Sequence, residues 1–163
     1  PGNYFGAGTP SGNGICRRKD IHPKTQGDMI EKATVEMTEN GKFRAANGSG
    51  CDTMNPKELL LYAAAQCSGQ TALMVMEKMH LRPKRLEIGY SGELNTEALQ
   101  AESMFRSFHV VYNVDCGPGS DQEKASRALL LTHEKYCGLT QMLRRIAPVS
   151  HEIAVVSTEP ETV

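Results

Sequence analysis

The segment LLLYAAAQCSGQTALMVM, residues 59–76, constrains the fold more than any other part of the chain. Its side chains are apolar almost all the way around a helix, and Ala, Ser and Gly leave little bulk around Cys67. A helix that is apolar on every side is buried in a core or in an interface. We therefore expect it at the centre of the fold, covered by its own sheet on one side and by a second subunit on the other.

The residues that flank this segment predict where the helix begins and ends. Asn55 is a favoured N-cap, Pro56 suits the first helical position, and Glu58 lies three residues after the cap. Pro83 disfavours the helical conformation in the residue before it. The prediction is one helix from about Pro56 to Met79.

Alternation of apolar and polar residues predicts a hairpin before this helix. KATVEMT at 32–38 and KFRAA at 42–46 both alternate, and Asn40-Gly41 lies between them. The Asn-Gly dipeptide tolerates the positive φ angles of a type I′ turn. We predict that such a turn joins the two strands.

Later segments complete the pattern. RLEIGYSGEL at 85–94 and FRSFHVVYNV at 105–114 predict an antiparallel pair of strands, and HEIAVVS at 151–157 predicts a last strand. A continuous second helix is predicted from Ser120 to about Arg145. The order ββ-α-ββ-α-β indicates an α+β fold.

Length and charge limit the classes of function. A chain of 163 residues fits one domain, which we place at 28–163, after a flexible arm at 1–27 that is rich in Gly, Pro, Ser and Asn. The net charge of −1 gives no reason to expect nucleic acid or a membrane as a partner. The arm has neither the basic region nor the apolar region of a signal peptide, so we expect a cytoplasmic protein with free thiols.

Two of the five cysteines, Cys67 and Cys137, lie on the two predicted helices. Taken alone, each is most simply a small apolar residue of the core. If the helices cross there, the two could act as a peroxidatic and a resolving cysteine. A reactive thiol needs a low pKa and hence a nearby cation, for which Arg44 on the hairpin is the candidate. Glu58 could hold that arginine, although a solvated strand residue and a helix cap are the simpler interpretations of these two residues.

The chain resembles the OsmC/Ohr family (osmotically inducible protein C and organic hydroperoxide resistance proteins) over about residues 30–157. The resemblance rests on N-P-x-E-L-L before Cys67 and on K-Y-C, which ends at Cys137. It is supported by EKMHLRPKRLEIGYSGEL, FRSFHVVYNV and a final EIAVV. This resemblance implies an intertwined homodimer, with long central helices packed between two sheets and active sites at the subunit interface.

The resemblance also implies a reaction, the thiol-dependent reduction of organic hydroperoxides. Cys67 matches the peroxidatic cysteine of the family, which becomes a sulfenic acid, and Cys137 matches the resolving cysteine, which condenses with it to a disulfide. An external dithiol, such as a lipoyl group, would reduce that disulfide, and neither a metal nor another cofactor is needed. An apolar pocket would favour alkyl or fatty hydroperoxides over H₂O₂.

The sequence departs from the peroxidase branch of the family at the activating pair. The acidic residue of that branch lies ten positions before the first cysteine, where this chain has Lys57, and Glu58 lies nine positions before it. One position rotates a side chain by about 100° around a helix, so the two are not equivalent. Arg44 matches the activating arginine of the branch only loosely. The chain is therefore similar to a divergent OsmC-like branch.

Three functions remain open at this point. The first is a dithiol hydroperoxide reductase that uses Cys67 and Cys137, with Arg44 and Glu58 in support. The second is a redox sensor or relay without efficient turnover, which needs only that the two sulfurs can bond. The third is a non-catalytic dimeric module that binds an apolar ligand, for which the sulfurs may lie apart.

Overall fold

A computed structural model describes residues 30–95, 103–117 and 120–157, apart from the side chain of Ser120. The arm predicted for 1–27 lies outside the described residues. The strands are β1 Ile30–Met37, β2 Phe43–Ala45, β3 Arg85–Leu94, β4 Phe105–Asp115 and β5 Val149–Val156. The α helices are α1 Pro56–Lys78, α2 Ser120–Leu131 and α3 Gly138–Arg144.

The five strands form one sheet in the order β2-β1-β3-β4-β5. The first four strands pair antiparallel, as predicted for β3 and β4, and β5 runs parallel to β4. Alternate side chains of β1, β3 and β4 are buried on one face, against which α1 packs: Val35, Leu86, Ile88, Tyr90, Val110, Tyr112 and Val114. The predicted α+β fold and the order of its elements are confirmed.

The turn of the β1–β2 hairpin differs from the predicted type I′ turn. Gly41 has a φ of 69°, whereas Asn40 does not take a positive φ. The N–H of Thr38 donates to the carbonyl of Lys42 at 2.7 Å, and the N–H of Gly41 donates to the carbonyl of Thr38 at 2.9 Å. Glu39 is thus part of the connection. A three-residue loop requires a left-handed conformation only at its last position.

Helix α1 begins and ends where the sequence predicts. The side-chain oxygen of Asn55 accepts hydrogen bonds from the N–H groups of Lys57 at 2.9 Å and Glu58 at 3.0 Å. The helix ends at Lys78, and Met79 is its C-cap. Asn55 therefore acts as the N-cap of α1 and supplies an acceptor for two N–H groups of the first turn.

A glycine lets the hairpin approach α1. A Cβ atom added at Gly69 would lie 2.6 Å from Cζ of Phe43, which is closer than real Cβ atoms come to other atoms. The ring of Phe43 therefore packs directly on the helix backbone. This contact fixes the distance between β2 and the middle of α1, two residues beyond Cys67.

The opposite face of α1 is open in the protomer. Leu60 and Met74 are 41% and 58% exposed, and Ala63 and Gln70 are exposed between them. By length and composition this helix could cross a membrane, although a core helix of a soluble protein passes the same test, and 44% of its most apolar window is buried in the fold. The sheet covers one side of α1, as predicted, and a second subunit remains a prediction for the other.

The predicted second helix is wrong as a continuous element. Helix α2 ends at Leu131, a π-helical turn covers Thr132–Tyr136, and Cys137 is extended, with φ −76° and ψ 107°. The N–H of Cys137 donates to the carbonyl of Thr132 at 2.9 Å, which is the spacing of a π turn. Gly138 follows, and glycine costs about 1 kcal/mol in a helix relative to alanine. Cys137 therefore lies at the start of α3, where the break turns its side chain toward α1.

Candidate active site

Two free thiols meet between α1 and the start of α3. The Sγ atoms of Cys67 and Cys137 lie 3.5 Å apart, with the thiol of Cys137 donating to the sulfur of Cys67. Cys67 is partly exposed on α1, whereas Cys137 is fully buried. A disulfide has an S–S distance of about 2.05 Å, so the sulfurs must approach by roughly 1.5 Å to bond. The structure therefore brings together the two cysteines that the sequence singled out.

The surroundings of Cys67 favour its neutral form. Burial raises the pKa of the Cys67 thiol, and the neighbouring Cys137 adds to this shift. A hydrogen bond from the N–H of Leu139 and one from the side chain of Thr71 act in the opposite direction. Among the residues that the structure describes, no Arg or Lys contributes to the shift. Within the described part of the chain, the cation that usually activates a peroxidatic thiol is thus missing from the environment of Cys67.

Three hydroxyl groups form a cluster, and one of them contacts the buried sulfur of Cys137. Ser68 donates to Sγ of Cys137 at 3.2 Å. Its oxygen lies 2.8 Å from the hydroxyl of Tyr90, which lies 2.7 Å from the hydroxyl of Thr140, and Ser68 and Thr140 are 3.3 Å apart. All four residues are at most 1% exposed. Burial raises the pKa of Tyr90 to about 12, against the opposing hydrogen bonds of Ser68 and Thr140, so its hydroxyl keeps its proton.

This hydroxyl cluster, which consists of Ser68, Tyr90 and Thr140, was not predicted from the sequence. One signal was available, because Ser68 directly follows Cys67 and Thr140 lies three residues after Cys137. A polar residue in such an apolar helix needs a buried partner.

The polar layer continues to a buried histidine. The hydroxyl of Tyr112 lies 3.3 Å from Nδ1 of His133, and the ring of His133 lies 4.2 Å from that of His151. Burial lowers the pKa of His133 to about 4, with smaller contributions from His151 and Arg144. Nε2 of His133 has no hydrogen-bond partner within the described ranges. The imidazole is therefore neutral at physiological pH.

The structure places Arg44 and Glu58 away from the two sulfurs. The guanidinium of Arg44 is on the face of β2 opposite to the core, 70% exposed, and its Nη2 lies 2.8 Å from the carboxylate of Glu36. Glu58 lines a groove of about 440 Å³ near the hairpin. Glu58 lies nine positions before Cys67, which is about 13.5 Å along α1 and a half-turn around it. Neither side chain makes a described hydrogen bond to Cys67 or Cys137.

Solved structures with the same fold include OsmC-like proteins. A hypothetical protein from Aquifex aeolicus VF5 aligns with a TM-score of 0.56 at 21% identity, covering 80% of this chain and 96% of that chain. An OsmC-like protein from Mycoplasma pneumoniae aligns with a TM-score of 0.53 at 13% identity, covering 78% and 96%. An OsmC-like hydroperoxide resistance protein from Jannaschia sp. CCS1 aligns with a TM-score of 0.53 at 13% identity, covering 71% and 85%.

At these identities the three structures establish the fold, and they confirm the predicted resemblance at that level. No curated protein matches the chain. The family model described as OsmC-like protein matches residues 48–152, which is more than half of the chain and includes both Cys67 and Cys137. The chain therefore belongs to the OsmC-like protein family.

Proposed function

We propose that the chain is a thiol-dependent peroxidase that reduces organic hydroperoxides through Cys67 and Cys137. The single observation that carries this proposal is the 3.5 Å separation of the two sulfurs. Membership of the OsmC-like family supports it, as does the hydroperoxide resistance named for the protein from Jannaschia sp. CCS1 that shares the fold.

The proposed reaction has three steps. The sulfur of Cys67 attacks the O–O bond, so that the hydroperoxide leaves as an alcohol and Cys67 becomes a sulfenic acid. The thiol of Cys137 then displaces the hydroxyl of that acid as water and forms a disulfide. An external dithiol, such as a lipoyl group, reduces the disulfide and is itself oxidised. A cytoplasmic location, where reductants of this kind keep thiols reduced, is part of the proposal.

The open face of α1 suggests both the substrate and the assembly. Leu60, Ala63, Cys67 and Met74 follow one another at helical spacing, so the partly exposed Cys67 lies within a mainly apolar row. Gln70 is the one polar member of this row. Such a row suits an alkyl hydroperoxide better than H₂O₂, and it suits a second copy of the chain as its cover. We infer a homodimer with Cys67 at the interface. Sedimentation should show a dimer that Met74→Glu dissociates, and a wild-type monomer would contradict the inference.

The raised pKa of Cys67 favours a second candidate function, a redox sensor or relay. Thiolates attack peroxides, whereas neutral thiols react slowly, and burial favours the neutral form of Cys67. Such a protein would still form the disulfide but would turn over slowly. The non-catalytic module tolerates sulfurs that lie apart, so the observed separation gives it no support.

A stopped-flow titration distinguishes these functions. The reduced protein is mixed with one equivalent of cumene hydroperoxide or H₂O₂, and mass spectrometry counts the remaining thiols. The peroxidase should lose two thiols rapidly, prefer the organic peroxide and yield a Cys67–Cys137 bond, whereas Cys67→Ser should be inert. Cys51→Ser is the matched control, because Cys51 is an exposed free thiol outside the pair. Oxidation no faster than that of free cysteine, and unchanged in Cys67→Ser, would refute the peroxidase.

The supporting roles of Arg44 and Glu58 remain predictions within this proposal. In the protomer Arg44 is paired with Glu36, so a role at Cys67 requires a movement of the hairpin or a second subunit. Arg44→Gln and Glu58→Gln test these roles directly, with sulfenic acid formation as the measurement. A slowing of about tenfold or more would support the residue concerned, since removing a charged partner has effects of this size. An unchanged rate would remove it from the site.

A further inference from the structure

The hydroxyl cluster has a defined direction. Each hydroxyl carries one proton, and that of Ser68 is directed at Sγ of Cys137. The oxygen of Ser68 must therefore act as an acceptor, and its closest neighbouring hydroxyl, that of Tyr90, is the donor. The two shortest contacts in the cluster are 2.8 Å to Tyr90 and 2.7 Å from Tyr90 to Thr140. They complete a chain of donors that runs from Thr140 through Tyr90 and Ser68 to the sulfur.

The buried sulfur of Cys137 needs such donors when it reacts. A thiol acts as a nucleophile while it loses its proton, so negative charge develops on Sγ during disulfide formation. Cys137 is 0% exposed, so bulk water does not stabilise this charge. A buried charge that lacks hydrogen bonds is strongly disfavoured. The site must therefore supply the donor that solvent supplies elsewhere.

The arrangement is unusual for a serine within a helix. A serine in this position commonly bonds the carbonyl one turn earlier in its own helix. The hydroxyl of Ser68 instead lies within hydrogen-bond distance of Tyr90 on β3 and of Cys137 and Thr140 at the start of α3. Three separate elements thus position one hydroxyl against one reacting atom.

We propose that Ser68 is a catalytic residue for disulfide formation, with Tyr90 and Thr140 as the positioning residues that hold its hydroxyl on Cys137. This inference rests on the proposed function and adds the residues of its second step. In that step the S–H bond of Cys137 breaks, an S–S bond forms and the S–O bond of the Cys67 sulfenic acid breaks. The departing hydroxide takes the proton of Cys137 and leaves as water. Ser68 stabilises the charge on Sγ throughout and returns unchanged.

Transient kinetics separate this role from the first step. After one equivalent of cumene hydroperoxide, quenching with a sulfenic acid trap follows Cys67 oxidation, and alkylation with mass spectrometry follows the disulfide. Ser68→Ala should leave the first rate within about twofold and slow the second by about 10- to 100-fold, the effect of a hydrogen bond to a charged group. The pH at which the second step reaches half its maximal rate should rise by about one unit. A structural role alone would not move this pH profile.

Matched variants keep the test decisive. Tyr90→Phe removes one hydroxyl and should slow the second step less than Ser68→Ala does, and it serves as the test if Ser68→Ala does not fold. Ser68→Thr retains a hydroxyl and should recover most of the rate. Ser91→Ala should have no effect, because the side chain of Ser91 lies on the opposite face of β3 from Tyr90 and its hydroxyl donates to the carbonyl of His109.

The failure of this inference can be told apart from the failure of the proposed function. If the wild-type protein forms no sulfenic acid and no disulfide, the peroxidase proposal fails, and this inference fails with it. If the wild type forms the disulfide and both Ser68→Ala and Tyr90→Phe form it at the same rate and with the same pH profile, only the role of the hydroxyl cluster is overturned.

Discussion

The buried histidine predicts a specific loss of stability in acid. His133 is 0% exposed and its pKa is lowered to about 4, from 6.5 when unperturbed, mainly by burial. Protonation is therefore disfavoured in the folded state and unhindered in the unfolded state. Between about pH 6.5 and pH 4 the unfolded chain binds more protons at this site, so stability falls as the pH falls. Above that window both states are neutral and the contribution vanishes.

The size of the effect follows from the two pKa values. At about pH 4.5 the unfolded imidazole is almost fully protonated and the folded one mostly neutral, which lowers the free energy of unfolding by about 2.5 kcal/mol. At about pH 7.5 the imidazole is mostly neutral in both states, so the contribution of His133 to the free energy of unfolding is close to zero. Because His151 contributes to the lowered pKa of His133, His151→Gln should reduce the loss without abolishing it.

Urea unfolding at the two pH values, at one protein concentration, measures this contribution. His133→Gln should lose about 2.5 kcal/mol less than the wild type between the two conditions, whatever its stability at neutral pH. Thr132→Val is the matched control, because Thr132 is equally buried in the same turn and does not titrate. It should show the full wild-type difference. An equal pH dependence in the wild type and His133→Gln would refute the reasoning.

Two further predictions concern the ends and the packing of α1. Asn55→Ala should lower the free energy of unfolding by about 1 kcal/mol, since the N–H groups of the first turn lose their acceptor; an unchanged urea midpoint would contradict this role. Gly69→Ala should lower it by about 1–3 kcal/mol, because the new Cβ would overlap the ring of Phe43. Gly138→Ala is the control, since a Cβ there meets nothing within 4 Å and should be neutral or stabilising.

Local sequence patterns predicted the strands and the start of the long helix correctly. The alternation around Ile88 and Val110 identified the buried faces of β3 and β4, and Asn55 located the beginning of α1. The predicted type of the hairpin turn was wrong. The type depends on the length of the connection, which also includes Glu39 and therefore has three residues instead of two.

The parts of the site that were not predicted depend on packing between distant residues. The π turn before Cys137 has no local signature beyond Gly138. Ser68, Tyr90 and Thr140 lie on three elements that meet only in the folded chain. The helical pattern singled out the two cysteines and the family resemblance assigned their roles, but neither carried information about this cluster.

The parallel pairing of β4 and β5 has a consequence for the rate at which the two sulfurs can meet. Cys137 lies in the crossover between these strands, and backbone hydrogen bonds from Cys116 to Val156 and from Phe108 to Pro148 anchor both ends of it. The sulfurs are 70 positions apart along the chain, so in an unfolded chain their encounter would carry a large entropy of loop closure. Folding brings the two thiols together while both are still reduced, so the entropy of loop closure is lost during folding and not during oxidation. Cys137 is thus presented to Cys67 at a high effective concentration, and disulfide formation should be independent of protein concentration.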